Sequence, residues 1–301
     1  MGSRDSATKR NFSSLTLLRC IILWCRLETG KPKGVELTHL NFTSNVKSAT
    51  RSMVANPKDF VAESDRSLSF LPWAHSFGQT AELWSYMCNG ASMGICRGVP
   101  VILEDLGMVK PTGLFAVPTL YKKVYDGVHN MMESASPLRK RLMKSALELG
   151  RANNDAKHGR RDPLGFTERM KFSILDKVVL SKIRGRFGGN MRIGFAGGAA
   201  CPAEVLTFMD SIGIPVCEGY GLTETSPIIC INSPDARQVG TVGKPIGGVS
   251  VYIVDEEGKE LPPGKEGELC CVGPNVMRGY YNNKEATDEV ITTAPDGKSR
   301  M

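Results

Sequence analysis

The densest set of groups able to do phosphate chemistry lies in one stretch, Glu218-Gly-Tyr-Gly-Leu-Thr-Glu-Thr-Ser-Pro227. Tyr220 offers a flat ring for a base. The Thr223 hydroxyl can donate to a phosphate oxygen, and the Glu224 carboxylate is a hard oxygen ligand of the kind Mg²⁺ takes. Gly219 and Gly221 let backbone come close to a ligand. The same composition also suits an ordinary Gly-rich turn whose threonines cap a helix, so the motif alone leaves both readings open. Three other stretches carry comparable groups. Residues 28–39 (ETGKPKGVELTH) form a Gly/Lys-rich loop. Thr29, Gly30, Lys31, Lys33 and Gly34 there make either a polyphosphate cradle outside the Walker pattern or an exposed basic turn. Trp73, His75 and Phe77 form an aromatic cluster in which His75 either faces a ligand or is a satisfied structural histidine. Ala196-Gly-Gly-Ala-Ala200 supplies small residues past a strand, where backbone can lie along a ligand.

The elements that must position these groups follow from periodicity. Short apolar runs at Leu15–Cys25, Ser67–Pro72, Val99–Leu103, Leu114–Val117, Met191–Phe195 and Ile212–Val216 predict strands, and a further apolar run, Ile228–Ile231, follows the 218–227 stretch. Helical spacing predicts helices over Leu40–Val54 (with Asn41 as a cap), Gln79–Asn89, Pro118–Met132, much of Pro137–Ile183, and Ala203–Asp210 behind Pro202. Strands and helices alternate with Gly-rich loops at strand ends, the layout of an open α/β sheet that binds ligands beyond its carboxyl edge. After about Pro234 the pattern changes to short strands and turns, predicting a small β subdomain. No internal repeat is evident.

With 301 residues, 41% hydrophobic and 23% charged, the chain has the composition of a globular protein with a large core. Its net charge of +7 is local, with 17 Lys/Arg against 7 Asp/Glu between Tyr121 and Arg192. The basic stretch 137–192, with Arg139, Lys140, Arg141 and Lys144 at its head, is a candidate peripheral membrane contact or else a solvated helix face. Nine scattered cysteines with no CxxC pair argue against zinc and fit free thiols in a reducing compartment, cytoplasmic or at a membrane surface. No apolar run approaches the roughly 20 residues of a spanning helix.

Read in order, ETGKPKGVELTH, SFLPWAHSFG, AGGAACPAE, EGYGLTETSP, GTVGKPIGG and GELCCVGPNVMRGYYNN resemble the signature segments of AMP-forming acyl-CoA synthetases, members of the adenylate-forming ligases. VKPTGLFAVPTLYKKVYDGV and LDKVVLSKIRGRFGGNMRI are most similar to the long-chain fatty-acid branch. The resemblance implies a partial adenylate-forming N-terminal domain: an open, mostly parallel sheet with helices on both faces, plus a small β subdomain. It also implies activation of a long-chain fatty acid by ATP to acyl-AMP and then acyl-CoA, with ATP and CoA as co-substrates, Mg²⁺ as cofactor, and no nucleic-acid partner. In that scheme Thr29, Gly30, Lys31, Lys33 and Gly34 hold the departing phosphates. Gly197, Gly198, Ala199, Glu218, Gly219, Tyr220, Gly221 and Thr223 surround AMP. Trp73, His75 and Gly219 line the acyl pocket. Glu224 ligates Mg²⁺, and Thr223, Glu224 and Lys33 are the catalytic set.

The implied division is a divergent segment over 1–27, native or foreign to the domain, an AMP-binding α/β subdomain over 28–234, a β subdomain over 235–285, and a tail over 286–301. Three departures temper the expected activity. Cys25-Arg26-Leu27-Glu28 stands where the family carries hydroxyl residues and glycine, and Glu28 repels phosphate. The family's earlier subdomain, its later ribose-binding aspartate and its mobile C-terminal domain with the catalytic lysine are not recognised in the sequence. The expectation is weak ATP binding and negligible ligase turnover by these 301 residues alone. An adenylation domain for another acid, and a non-catalytic nucleotide- or partner-binding relative, are the alternatives.

Overall fold

The computed structural model describes residues 20–25, 32–51, 61–234, 236–293 and 299–301. Its centre is a five-stranded sheet in which β5 (Gly113–Ala116), β6 (Ile193–Ala196) and β7 (Val216–Gly221) run parallel, followed by β8 (Ile228–Ile231) and β9 (Lys244–Pro245) running antiparallel. β5 and β6 are wholly buried, which is why they read as unbroken apolar runs rather than alternating ones. Between them lie α4 (Pro118–Glu133), α5 (Pro137–Lys157), α6 (Phe166–Leu175), a π-helical turn (Asp176–Leu180) and α7 (Ser181–Gly185); α8 (Ala203–Ser211) makes the next crossover. Stacked Phe115 and Phe195 rings, 4.4 Å apart, fill the sheet's other face, with Phe77 and Tyr86 set edge-on against Phe115. Gly194 is required within β6, because a Cβ there would sit 2.7 Å from the Tyr121 hydroxyl, which donates to Leu114 O at 2.9 Å. A parallel pair, β3 (Arg66–Ser69) with β4 (Ser92–Ile95), lies beside this unit.

A second sheet joins distant segments. β1 (Cys20–Cys25) pairs antiparallel with β2 (Lys33–Thr38), which in turn pairs with β12 (Gly279–Tyr280). β10 (Ser250–Val254) and β11 (Glu268–Val272) form a third sheet with β13 (Thr292–Thr293) and β14 (Ser299–Arg300). Residues on both sides of Pro234 therefore share sheets, β8 with β9 and β2 with β12.

Several predicted elements change. Val99–Leu103 is no strand: Val99–Val101 is a 3₁₀ turn leading into α3 (Ile102–Val109). Pro100 lacks a ladder N–H, and the Asp105 carboxylate accepts from Arg97 N at 2.8 Å, tying the helix back to its lead-in. Ile212–Val216 becomes mainly a helix stop. Gly213, at φ +82, makes the Schellman pair Gly213 N to Asp210 O and Ile214 N to Met209 O, each 3.0 Å, so β7 begins only at Val216. The 28–39 loop contains β2. α1 (His39–Arg51) is capped by Thr38, whose Oγ1 accepts from Asn41 N while Asn41 Oδ1 accepts from Thr38 N, a reciprocal capping box with Asn41 inside the helix. The same Asn41 amide donates to Pro274 O and Val276 O, both at 2.8 Å, fastening the β-rich part to α1. Among the described residues no helix is long and apolar enough to cross a membrane.

Candidate active site

A cavity of about 220 Å³ opens beyond the carboxyl ends of β5, β6 and β7. Its apolar end is Phe77, Ala81, Phe115, Phe195 and Ile228, and its polar end is His75, Ser76, Thr223 and Glu224. The cavity position follows from the strand order, since parallel strands deliver their following loops to one edge. Phe77 and Ala81 come from a π-helical segment, Phe77–Trp84, that continues into α2 (Ser85–Cys88).

The 218–227 stretch is partly strand and partly turn. β7 runs through Gly221, and Thr223–Thr225 forms a 3₁₀ turn closed by Leu222 N to Pro227 O at 3.0 Å and Thr225 Oγ1 to Pro227 O at 2.6 Å. Gly221 is obligatory: a Cβ there would fall 1.7 Å from Pro227 O. Thr223 Oγ1 lies 3.5 Å from Ser76 Oγ, which brings two hydroxyls from opposite walls together. The Glu224 carboxylate is buried, and its Oε1 accepts from the Tyr280 hydroxyl at 2.9 Å. Glu224 O accepts from Met277 N at 2.7 Å, so the turn is held from both backbone and side chain. The Lys33 ammonium stands 4.7 Å above the Tyr280 ring centre, a cation–π contact that ties β2 to the same network.

Of the predicted residues, Gly197, Gly198, Gly219, Tyr220, Gly221, Thr223, Glu224 and His75 line this cavity together. His75 Nδ1 accepts from Phe77 N at 3.2 Å, so its ring is also part of the loop's own fold. Gly197 has the Phe77 ring against it, 3.0 Å from where a Cβ would stand. Five others, Ala199, Trp73, Glu218, Lys33 and Gly34, are placed outside its lining. Gly198, at φ +83, turns the backbone after β6, and Ala199 beyond it faces solvent. Trp73 is 40% exposed and donates its indole N–H to Ser69 Oγ at 3.0 Å, outside the cavity. Glu218 is buried behind the wall, where its Oε1 accepts from Cys201 N at 3.2 Å and burial raises its pKa above the usual carboxylate value. Lys33 and Gly34 sit on β2, and Gly34 O accepts from Tyr281 N at 2.7 Å. Thr29, Gly30 and Lys31 lie outside the described residues.

Sequence reasoning missed Tyr280, Ser76 and the Phe115–Phe195 floor. It also missed Glu82, wholly buried in the π-helical segment and accepting hydrogen bonds from Ser67 and Ser69. Burial pushes the Glu82 pKa up to about 7. No group of three or more acidic, His or Cys side chains is placed to hold a metal among the described residues. Among the described residues, Glu224 is the one carboxylate lining the cavity. With Oε1 engaged by Tyr280, Oε2 makes no hydrogen bond among the described residues. A single carboxylate oxygen of this kind fits Mg²⁺, which typically takes one or two carboxylates and fills its remaining positions with phosphate oxygens and water.

An open α/β sheet with glycine loops, hydroxyls and one carboxylate at its carboxyl edge defines a nucleotide-binding class of site. The chain belongs to the AMP-binding enzyme family, whose pattern matches residues 29–281. It is 35% identical over 268 residues to long-chain-fatty-acid–CoA ligase 5 of Mus musculus, covering 87% of this chain and 37% of that one. It is 28% identical over 313 residues to the chloroplastic long-chain-fatty-acid–[acyl-carrier-protein] ligase AEE15 of Arabidopsis thaliana, covering 96% and 42%. The fold superposes on ATP-bound MatB from Rhodopseudomonas palustris with a TM-score of 0.63 at 26% identity, covering 92% of this chain and 44% of that one. The chain thus spans roughly two fifths of the length of the curated relatives it matches.

Proposed function

We propose that this chain carries the nucleotide site of an AMP-forming ligase for long-chain fatty acids. In this reading the fatty-acid carboxylate attacks the α-phosphorus of ATP, pyrophosphate leaves, and the CoA thiol then displaces AMP from acyl-AMP. The observation that carries it is the convergence of Gly197, Gly198, Tyr220, Thr223 and Glu224 on one cavity. Tyr220 packs on the adenine face, and Thr223 donates to the α-phosphate while Ser76 supports its hydroxyl across 3.5 Å. Glu224, oriented by Tyr280, would hold Mg²⁺, which when bound neutralises charge on the phosphate oxygens. Lys33, held over Tyr280, and Gly34 extend the site toward the departing phosphates, and the same reading assigns Thr29, Gly30 and Lys31 to those phosphates. His75 and Gly219 line the acyl side. The substrate carboxylate is itself the nucleophile, so these side chains bind and orient rather than attack.

A carrier-protein thiol as acceptor in place of CoA is the second reading, favoured by the acyl-carrier-protein ligase among the relatives. A peripheral membrane contact through 137–192, and a reducing compartment at the membrane or in the cytoplasm, belong to the same proposal. Cys88, Cys96, Cys201, Cys230 and Cys271, present as free thiols, support it. Calorimetric titration of ATP into the chain tests the site. Mg²⁺-dependent heat that disappears in Glu224→Ala is expected, and heat indifferent to both Mg²⁺ and this substitution would refute the reading.

A further inference from the structure

Apolar side chains face solvent in a regular series on the outer side of the helical insertion. Phe166 is 78% exposed, Met170 54%, Ile174 61% and Val178 52%. Each step of four residues turns an α-helix by only about 40°, so Phe166, Met170 and Ile174 share one face roughly 80° wide. The segment's packing needs are already met on its opposite side, where Leu175, Leu180 and Ile183 are buried in the main core. The exposed series therefore has no role in holding this fold together.

Its surroundings are cationic. Arg169, Lys171, Lys177 and Lys182 are all exposed and make no ion pair among the described residues. The two acidic residues of the segment are neutralised locally. Glu168 caps Gly165 N at 3.0 Å and faces Arg161 at 3.7 Å, and Asp176 takes both Arg184 amino groups at 2.7 and 2.8 Å. α5, packed against α6, continues the pattern with Leu138, 68% exposed, and Leu142, 39% exposed, set among exposed Arg139, Lys140, Arg141 and Lys144.

Apolar side chains interleaved with unpaired cations on exposed helices are the pattern of a helix face lying in a membrane interface. We propose that the outer face of α5 and α6, continuing to Val178, docks on an anionic lipid bilayer. The apolar side chains enter the acyl boundary and the eight cations meet lipid phosphates and carboxylates. A second copy of the chain is disfavoured as the occupant, because two such faces would bring like charges together. The sequence pointed to the positive cluster alone. The structure adds the apolar series on α6, which a merely solvated basic face would lack. The inference rests on the peripheral membrane contact proposed above and not on nucleotide binding, since docking requires no nucleotide.

Flotation of the intact chain with phosphatidylcholine vesicles, with and without phosphatidylserine, tests it in the absence of ATP. Partitioning into the phosphatidylserine vesicles is expected to fall at least about tenfold in the double variant Phe166→Ser/Ile174→Ser. Lys171→Glu/Lys177→Glu should weaken it and flatten its salt dependence. These positions are exposed, so circular dichroism should be unchanged in each variant. In Phe166→Trp, emission should shift to the blue on adding anionic vesicles. The proposal is overturned if the chain stays with the soluble fraction, or if it partitions equally into neutral vesicles. Equal partitioning of both double variants would overturn it too. So would a Phe166→Ser/Ile174→Ser variant whose only change is loss of self-association in sedimentation.

Discussion

Tyr280 is the residue on which the organisation of the site turns, and a double-mutant cycle isolates its contribution. Tyr280→Phe removes one hydroxyl and keeps the ring, so the Lys33 contact, 4.7 Å from the ring centre, survives. What is lost is the 2.9 Å hydrogen bond to Glu224 Oε1, made where Tyr280 is 6% and Glu224 3% exposed. A hydrogen bond to a charged group is worth about 1.5–3 kcal/mol, and burial limits water from replacing it. Tyr280→Phe should therefore lower Tm by several degrees, at roughly 2–4 °C per kcal/mol for a chain of this size. Combined with Glu224→Ala, the two changes should couple by about 1.5–3 kcal/mol in thermal or urea unfolding. Tyr281→Phe, altering a side chain 46% exposed, serves as a near-neutral control. A coupling below about 0.5 kcal/mol would show that Tyr280 does not hold the carboxylate and would remove the argument for a pre-oriented Glu224.

Two further substitutions read the local geometry. Gly221→Ala should cost about 3 kcal/mol or more and abolish ATP binding, because its Cβ would collide with Pro227 O. Gly219→Ala, whose nearest atom would be Cys230 O at 3.5 Å, should cost far less in the same melts; equal effects would refute the assigned turn. Glu82 predicts a pH profile. Burial raises its pKa from 4.5 to about 7, so the fold binds a proton the unfolded chain releases, and stability declines from pH 4.5 to 7 and then levels off. At 1.36 kcal/mol per unit the decline is about 3 kcal/mol, and Glu82→Gln should remove it, leaving a clear gain at pH 8 and little at pH 5. Parallel profiles for the two proteins would contradict this.

Much of the fold was legible because its central strands carry unambiguous signals. Gly113–Ala116 and Ile193–Ala196 are buried on both faces and therefore read as short apolar runs bounded by turn residues. α4 announces itself through proline at its first position, and α8 through Pro202 at its N-cap. The misread elements share a physical cause. Val99–Leu103 and Ile212–Val216 are apolar runs of five, too short for periodicity to separate strand from helix end, so Pro100 and Gly213 decided them.

At the site, the 218–227 stretch was readable because its chemistry is contiguous. The partner that orders Glu224 was not, since Tyr280 lies 56 residues away and meets it only through the pairing of β12 with β2. Ala199 and Trp73 were misplaced for a related reason. Side-chain direction after a left-handed glycine, or along an irregular loop, is set by backbone that composition does not encode. Glu82 offered no signal at all, because a glutamate in a helical pattern reads as solvent-facing until the fold buries it.

The central claim is that nucleotide binds in the cavity at the carboxyl edge of β5, β6 and β7. A crystal structure of the chain soaked with ATP and Mg²⁺ tests it most directly. The account predicts adenine against Tyr220 beside Gly197 and Gly198, with the α-phosphate at the Thr223 hydroxyl and metal at Glu224. Nucleotide found instead in the polar cavity between α5 and α8, lined by Arg151, His158 and Arg160, would contradict it.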